Sequence, residues 1–212
     1  ENALIDLHFL GIDNVLVLRG DNLKHETSFV PQPDGNQNAL ELLQQVDRMN
    51  QGRYMDDELV NATATNFCIG VAGYPEKHHD APNLKADIRW LKQKVKAGAK
   101  FITTQMFFDN KAYFDFVATC RKEGIDIPII PGIKPLATLK QITLLPKVFH
   151  IDIPEALADA VEQAPNEQAV RQIGIEWAIE QCRELKAAGV PVLHFYTMGK
   201  SQATKRIAEA VF

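Results

Sequence analysis

The chain has 212 residues, with 23 Lys and Arg against 27 Asp and Glu, a formal net charge of −4 and 46% hydrophobic residues. That composition can bury a full core, and one domain over residues 1–212 is the default expectation. It lacks the basic footprint of a nucleic-acid binder, and no apolar run approaches the ~20 residues of a bilayer span, so neither nucleic acid nor a membrane is an expected partner.

Taken in chain order, one phrase recurs: an amphipathic stretch, a Gly followed by an apolar residue, a short β-rich run and a polar end. The first copy is Gly11-Ile12, then Asn14–Leu18, then Arg19-Gly20-Asp21. Helical spacing follows at Leu40, Leu43 and Val46, and a second strand is expected over Asn66–Gly73. Leu84, Ile88, Leu91 and Val95 fall at i, i+4, i+7 and i+11, and predict a helix that ends at Gly98. The run Lys100–Thr104 then predicts a strand leading to Gln105. Gly124-Ile125 precedes Ile127–Ile130 and the stiff loop Pro131-Gly132-Ile133-Lys134-Pro135, in which the prolines fix φ. Val170, Ile173, Trp177 and Leu185 share a helical face, Gly189-Val190 closes that helix, and Pro191–Tyr196 reads as the last strand. The glycines suit left-handed helix ends, and the short apolar runs suit strands buried on both faces.

Five strands and about seven helices in alternation imply βαβ crossovers, a parallel sheet and the α/β class. In such proteins chemistry gathers at the carboxyl ends of strands. Those ends carry Arg19-Gly20-Asp21, Tyr74–His79, Gln105–Asp109, Lys134 and Tyr196–Lys200.

Each motif has a plain alternative. Arg19-Gly20-Asp21 is either a backbone that a ligand can approach at Gly20 or a strand-end turn with a solvated ion pair. Tyr74 through Asp80 offers histidine and carboxylate donors, but without metalloenzyme spacing and with neighbouring histidines expected to diverge, so no metal is expected. Gln105-Met106-Phe107-Phe108-Asp109 is either a hydrophobic plug or an amide that reads a heterocycle edge between aromatic walls. Lys134 reads as solvated, and Trp90 and Trp177 as helix packing residues. Dinucleotide, phosphate-loop and serine-hydrolase fingerprints are absent. Cys68, Cys120 and Cys182 are odd in number and widely spaced, and read as buried thiols of a reducing compartment.

At Leu18–Asp21, Ala72–His78, Thr104–Asp109, Ile130–Ile133 and His194–Thr197 the sequence resembles the methylenetetrahydrofolate reductase family, in motif order and spacing over nearly the whole chain. The resemblance implies a (β/α)8 TIM barrel of which this chain supplies strands four to eight with their helices. It implies an FAD flavoprotein that takes hydride from NADH or NADPH and converts 5,10-methylenetetrahydrofolate to 5-methyltetrahydrofolate, in the one-carbon metabolism that feeds methionine biosynthesis. Carried over by motif, Arg19, Gly20, Asp21, Tyr74, His78, Asp87 and Lys94 would meet the flavin, Lys94 at its pyrophosphate. Asp21 and Gln105 are the expected catalytic residues. Asp21 would favour the cationic iminium form of the folate, and Gln105 would read pterin and nicotinamide. Gln141 and Lys200 match further folate contacts.

Departures bear on these expectations. Lys200 stands where some members carry Arg, and Trp90 and Gln93 where some carry Asn and Arg. The family's opening strand, Glu-Phe-Phe-Pro-Pro, whose Glu is the general acid, does not occur in these residues. General acid catalysis is worth ~10²–10⁴-fold, so the chain alone is expected to bind FAD poorly and to leave folate unreduced. A start at Glu1 and five strands, where a closed barrel of about 250 residues has eight, carry the expectation of a preceding segment. The alternative is a short homologue or partner subunit that binds flavin or folate without turnover. A cytoplasmic location is expected, and a homo-oligomer is compatible with the sequence.

Overall fold

A computed structural model describes residues 1–20 and 29–212. Asp21, one of the expected catalytic residues, lies outside them. The described chain divides into two compact units: residues 1–72, 88–102 and 124–128, and residues 73–87, 103–123 and 129–212.

The first unit opens with α1 (Asn2–Phe9), β1 (Asn14–Val17), α2 (Ala39–Asn50) and β2 (Cys68–Gly73), whose last residue begins the second unit. β1 and β2 pair in parallel, from Asn14 opposite Cys68 to Val17 opposite Val71. The start of α2 is fixed by Asn38, whose side chain accepts from the Leu40 and Glu41 N–H groups, while Glu41 accepts from Gln37 N–H at 2.6 Å. Such a reciprocal cap contributes about 1 kcal/mol. α2 buries Leu43, Val46 and Met49 completely. Its last residue, Asn50, holds Phe67 at the mouth of β2, donating to the Phe67 carbonyl at 2.9 Å and accepting from its N–H at 2.8 Å.

α3 (Leu84–Lys96) and β3 (Phe101–Met106) pass from one unit to the other. The α3 stripe read from the sequence is confirmed at Ile88 and Leu91, both buried. The second unit continues with α4 (Asn110–Lys122), β4 (Ile129–Ile133), α5 (Gln141–Phe149), α6 (Glu155–Glu162), α7 (Glu167–Ala187), β5 (His194–Phe195) and α8 (Gln202–Val211). β4 and β5 pair in parallel, with Gly132 opposite His194 and Ile133 opposite Phe195. The core of this unit gathers Met106, Phe108, Leu136, Leu145, Ile151, Leu157, Val161 and Val170.

The sheet runs in the order β1-β2-β3-β4-β5. This is the sequential α/β arrangement expected of part of a (β/α)8 barrel, with five strands as expected and eight helices among the described residues rather than about seven. Gly11, Gly98, Gly124 and Gly189, which close the four helical phrases, all take positive φ. Among the described residues no helix is long and apolar enough to cross a membrane.

Three expectations need correction. β1 is not buried on both faces: Leu16 is 39% exposed and Leu18, just past its end, 52%, while Val17 between them is buried. β5, the last strand, has no buried residue. Trp90 is 52% exposed on α3 and is not a packing residue. Cys120 and Cys182 are buried free thiols, pushed up to about 12 by burial, whereas Cys68 is half-buried.

Candidate active site

In the first unit, Arg19 and Gly20 come one residue after β1, past Leu18. Phe29 packs on both. Its ring carries the Arg19 guanidinium 5.0 Å from the centroid and lies 3.3 Å from where a Gly20 Cβ would stand. The backbone at Gly20 is therefore faced by an aromatic ring of the chain itself. Lys94 lies in the last turn of α3.

In the second unit, the turn after β2 is tied down by Asp87, in the first turn of α3, which accepts from the His78 backbone N–H at 2.9 Å. Tyr74 and His78 meet edge to face at 4.6 Å. His79 stacks on His78 at 4.6 Å and on His150 at 4.8 Å. The neighbouring histidines thus run nearly parallel instead of diverging. His78, His79 and Asp80 keep their donor atoms within 4.8 Å of one another. The Asp80 N–H, however, donates to His78 Nδ1, and two rings only 22° from parallel cannot both aim in-plane lone pairs at one ion.

The segment after β3 combines the two readings offered for it. Met106, Phe107 and Phe108 are buried, and Phe107 stacks on Tyr113, so the aromatic groups are plug and not ligand walls. Gln105 stays half-buried, its Oε1 accepting from Met106 N–H at 3.0 Å, which leaves the amide NH₂ as a donor. α7 clamps this segment. Trp177 Nε1 donates to the Phe108 carbonyl at 2.9 Å, Gln181 to the Phe107 carbonyl at 3.2 Å, and Asn110 to the Gln181 carbonyl at 3.1 Å. Trp177 is therefore a positioning residue, in line with its reading as a packing side chain.

Gln141 turns its Oε1 back to the Ala137 and Thr138 N–H groups, at 2.6 and 3.3 Å, and so organises the turn into α5. Lys200 follows β5 in a turn closed by its own N–H on the Thr197 carbonyl at 2.9 Å. Lys134, read from the sequence as solvated, is half-buried, and burial together with the Lys200 charge lowers its pKa.

Of the expected contacts, then, Tyr74, His78 and Asp87 form one linked group, while Gln105, Gln141 and Lys200 hold separate places in the same unit. Two groups carry signals that the sequence did not. Glu76, one residue beyond Pro75, is pushed up to about 7, chiefly by burial, with the Asp152 and Asp109 charges adding to it against a hydrogen bond from the Asp152 backbone. Tyr196 donates to the Thr104 carbonyl at 2.8 Å across Gly132. Neither has a short-range pattern that could have revealed it, since the partners come from distant segments.

Comparison with known proteins gives a consistent frame. The chain is 37% identical over 210 residues to methylenetetrahydrofolate reductase 1 of Schizosaccharomyces pombe, covering 99% of this chain and 32% of that protein. It is 37% identical over 213 residues to methylenetetrahydrofolate reductase (NADH) 1 of Zea mays, covering 96% of this chain and 34% of that one. The chain therefore spans about a third of the length of these relatives. Among solved structures, a Clostridium thermocellum protein described as binding two copies of 5-methyl-5,6,7,8-tetrahydrofolic acid aligns with a TM-score of 0.51 and 19% identity. That alignment covers 69% of this chain and 53% of the other, and speaks for the fold. The methylenetetrahydrofolate reductase family model matches residues 1–211, and the chain belongs to the methylenetetrahydrofolate reductase family.

Proposed function

We propose that this chain is part of an FAD-dependent reductase that converts 5,10-methylenetetrahydrofolate to 5-methyltetrahydrofolate with NADH or NADPH. The observation that carries the reading is the family match over residues 1–211. The bound flavin would supply the hydride relay, and the protein would supply position and field.

The donor types present suit such a group. Lys94 is a cation of the kind that meets a pyrophosphate, Arg19 is a cation suited to the flavin, and Tyr74 and His78 offer an aromatic edge and an imidazole from a turn that Asp87 holds in place. Phe29 gives a flat apolar face beside Gly20. In this reading Gln105 donates its amide NH₂ to an acceptor on the pterin or nicotinamide ring. Gln141 and Lys200 contribute polar contacts to the folate, and Asp21 supplies a negative charge near it. The 212 residues contain no Glu-Phe-Phe-Pro-Pro motif. Reductase activity is accordingly assigned to the whole protein, and the isolated polypeptide is expected to leave folate unreduced.

The test is anaerobic reduction of the purified whole protein. A flavin absorbance band that bleaches with NADH or NADPH, and recovers on adding methylenetetrahydrofolate, is the expected result. Absence of flavin, or a reduced flavin that methylenetetrahydrofolate fails to reoxidise, would overturn the reading.

A further inference from the structure

Lys77 holds a backbone conformation that residues with a Cβ rarely adopt. Its φ is 115°, in the region that glycine enters freely and a lysine only under strain. It sits in the turn between Tyr74 and His78, where its N–H donates to the Tyr74 carbonyl at 3.2 Å. The side chain is half-buried, and its ammonium donates to the Ala81 carbonyl at 2.7 Å. Ala81 precedes Pro82, which keeps it out of helical backbone. Its carbonyl therefore stands outside the α3 ladder, which opens with Asn83 accepting from Ala86 and Asp87, and Lys77 supplies its partner.

The next residue makes a second tie to the same place: the His78 N–H donates to the Asp87 carboxylate at 2.9 Å. Consecutive residues thus fasten the turn to the opening of α3, one by its side chain and one by its backbone. The Ala81 N–H returns to the His78 carbonyl at 3.0 Å, and the Asp80 N–H to His78 Nδ1 at 3.1 Å. These bonds hold what the strain opposes. Any ordinary φ at residue 77 would send the following residue elsewhere, so Lys77 decides where His78 stands. It stands edge to face with Tyr74 and stacked on His79, which stacks in turn on His150. Strain of this kind persists only where the surroundings over-determine it, and it gathers at ligand clamps.

We propose that Lys77 is a positioning residue of the cofactor turn: its ammonium, latched on the Ala81 carbonyl, holds the strained backbone that presents Tyr74 and His78 to the flavin. The identity of the ligand rests on the reductase reading, and the positioning role rests on the bonds of the turn.

Three variants of the whole protein test it, with FAD affinity from flavin titration, Tm, and amide exchange of His78 and Asp80 in the flavin-free protein. Lys77→Gly removes strain and latch together, so its Tm should hold or rise while FAD binds about three- to tenfold more weakly. Lys77→Met keeps the strain without the latch and should lose both stability and FAD affinity. Lys77→Arg can still donate to Ala81 and should keep wild-type affinity. Exchange of the two amides should quicken by about tenfold in the Gly and Met variants and not in the Arg variant. If Lys77→Met does not fold, the Gly and Arg variants carry the test. Wild-type affinity in the Gly or the Met variant overturns the proposal, as does an Arg variant as weak as the Met one. A Gly variant that loses stability and affinity together marks Lys77 as support for the fold alone and overturns it too. If the wild-type protein binds no flavin, the reductase reading falls, and the exchange data still decide: unchanged exchange in the Gly variant overturns the role of Lys77, and faster exchange upholds it.

Discussion

Tyr196 lies directly across Gly132. Its ring carbon Cε2 is 2.5 Å from where a Gly132 Cβ would stand, and its hydroxyl reaches over to the Thr104 carbonyl at 2.8 Å. A Cβ at residue 132 would also meet the Thr104 carbonyl oxygen at 2.4 Å, so no side-chain rotation can make room. Gly132→Ala should cost about 1–3 kcal/mol through overpacking, measured by urea unfolding. Tyr196→Phe should cost about 1 kcal/mol for the lost hydrogen bond. Tyr196→Ala should not rescue Gly132→Ala, because the backbone clash remains, and a full rescue would show that the ring alone sets the requirement.

Trp177 should matter more to local order than to the core it borders. Its indole N–H satisfies the carbonyl of buried Phe108, and Phe cannot replace that donor. Trp177→Phe is expected to cost about 1–3 kcal/mol, the penalty for an unsatisfied buried acceptor. Amide exchange should speed up over residues 105–110 while α2 in the other unit is unaffected. Uniform acceleration across both units would argue against a local clamp.

The fold was largely legible because its signals are local. Glycines at helix ends, short apolar runs and the Leu84–Val95 stripe each act over a few residues, and the positive φ of Gly98 and Gly124 follows from the same chemistry. What stayed hidden depends on distant partners. Leu16 is exposed although its run is as apolar as the other strands, because exposure depends on what packs against a face, which no spacing within β1 can announce. Lys134 is half-buried in a loop whose backbone meets Gly174, and Glu76 is perturbed by Asp109 and Asp152. The strand ends pointed to Tyr74, His78 and Gln105. They gave no sign that Trp177 and Gln181 secure the segment after Gln105, or that Asp87 secures the His78 backbone.

Glu76 should make stability fall as pH rises. Its carboxyl is raised from 4.5 to about 7 in the folded state, so between those values the folded protein holds a proton that the unfolded chain has released. Stability linked to this group is complete below about 4.5 and is lost as pH passes through about 7. Glu76→Gln, which keeps a neutral side chain at every pH, should flatten this part of the Tm profile and melt above wild type at pH 8. Parallel profiles for variant and wild type would show that Glu76 is not the group responsible.

Asp87 provides a way to separate positioning from contact. Its carboxylate accepts from the His78 N–H, and His78 in turn meets the Tyr74 ring. In the whole protein Asp87→Ala is expected to weaken FAD binding by about tenfold, the range of a lost charge-assisted hydrogen bond. Asp87→Asn, which retains an acceptor oxygen, should recover most of that loss. Equal losses in the two variants would mean that the charge, and not the hold on His78, is what the cofactor senses.

Gln105 offers the sharpest separation, because its two amide ends do different things. Oε1 accepts from the Met106 N–H, while the NH₂ is the donor assigned to the pterin or nicotinamide ring. Gln105→Glu keeps an acceptor for Met106 and removes only the donor, so the Tm should change little. The KM for methylenetetrahydrofolate should rise by about three- to tenfold, the worth of one neutral hydrogen bond, with a further penalty where the ligand presents an acceptor to the new carboxylate. Gln105→Ala removes both ends and should lower the Tm as well, by leaving the Met106 N–H without its partner beside a buried side chain. If Gln105→Glu binds folate and nicotinamide as well as the wild type, the amide does not read the ring, and its place after β3 reflects the turn alone.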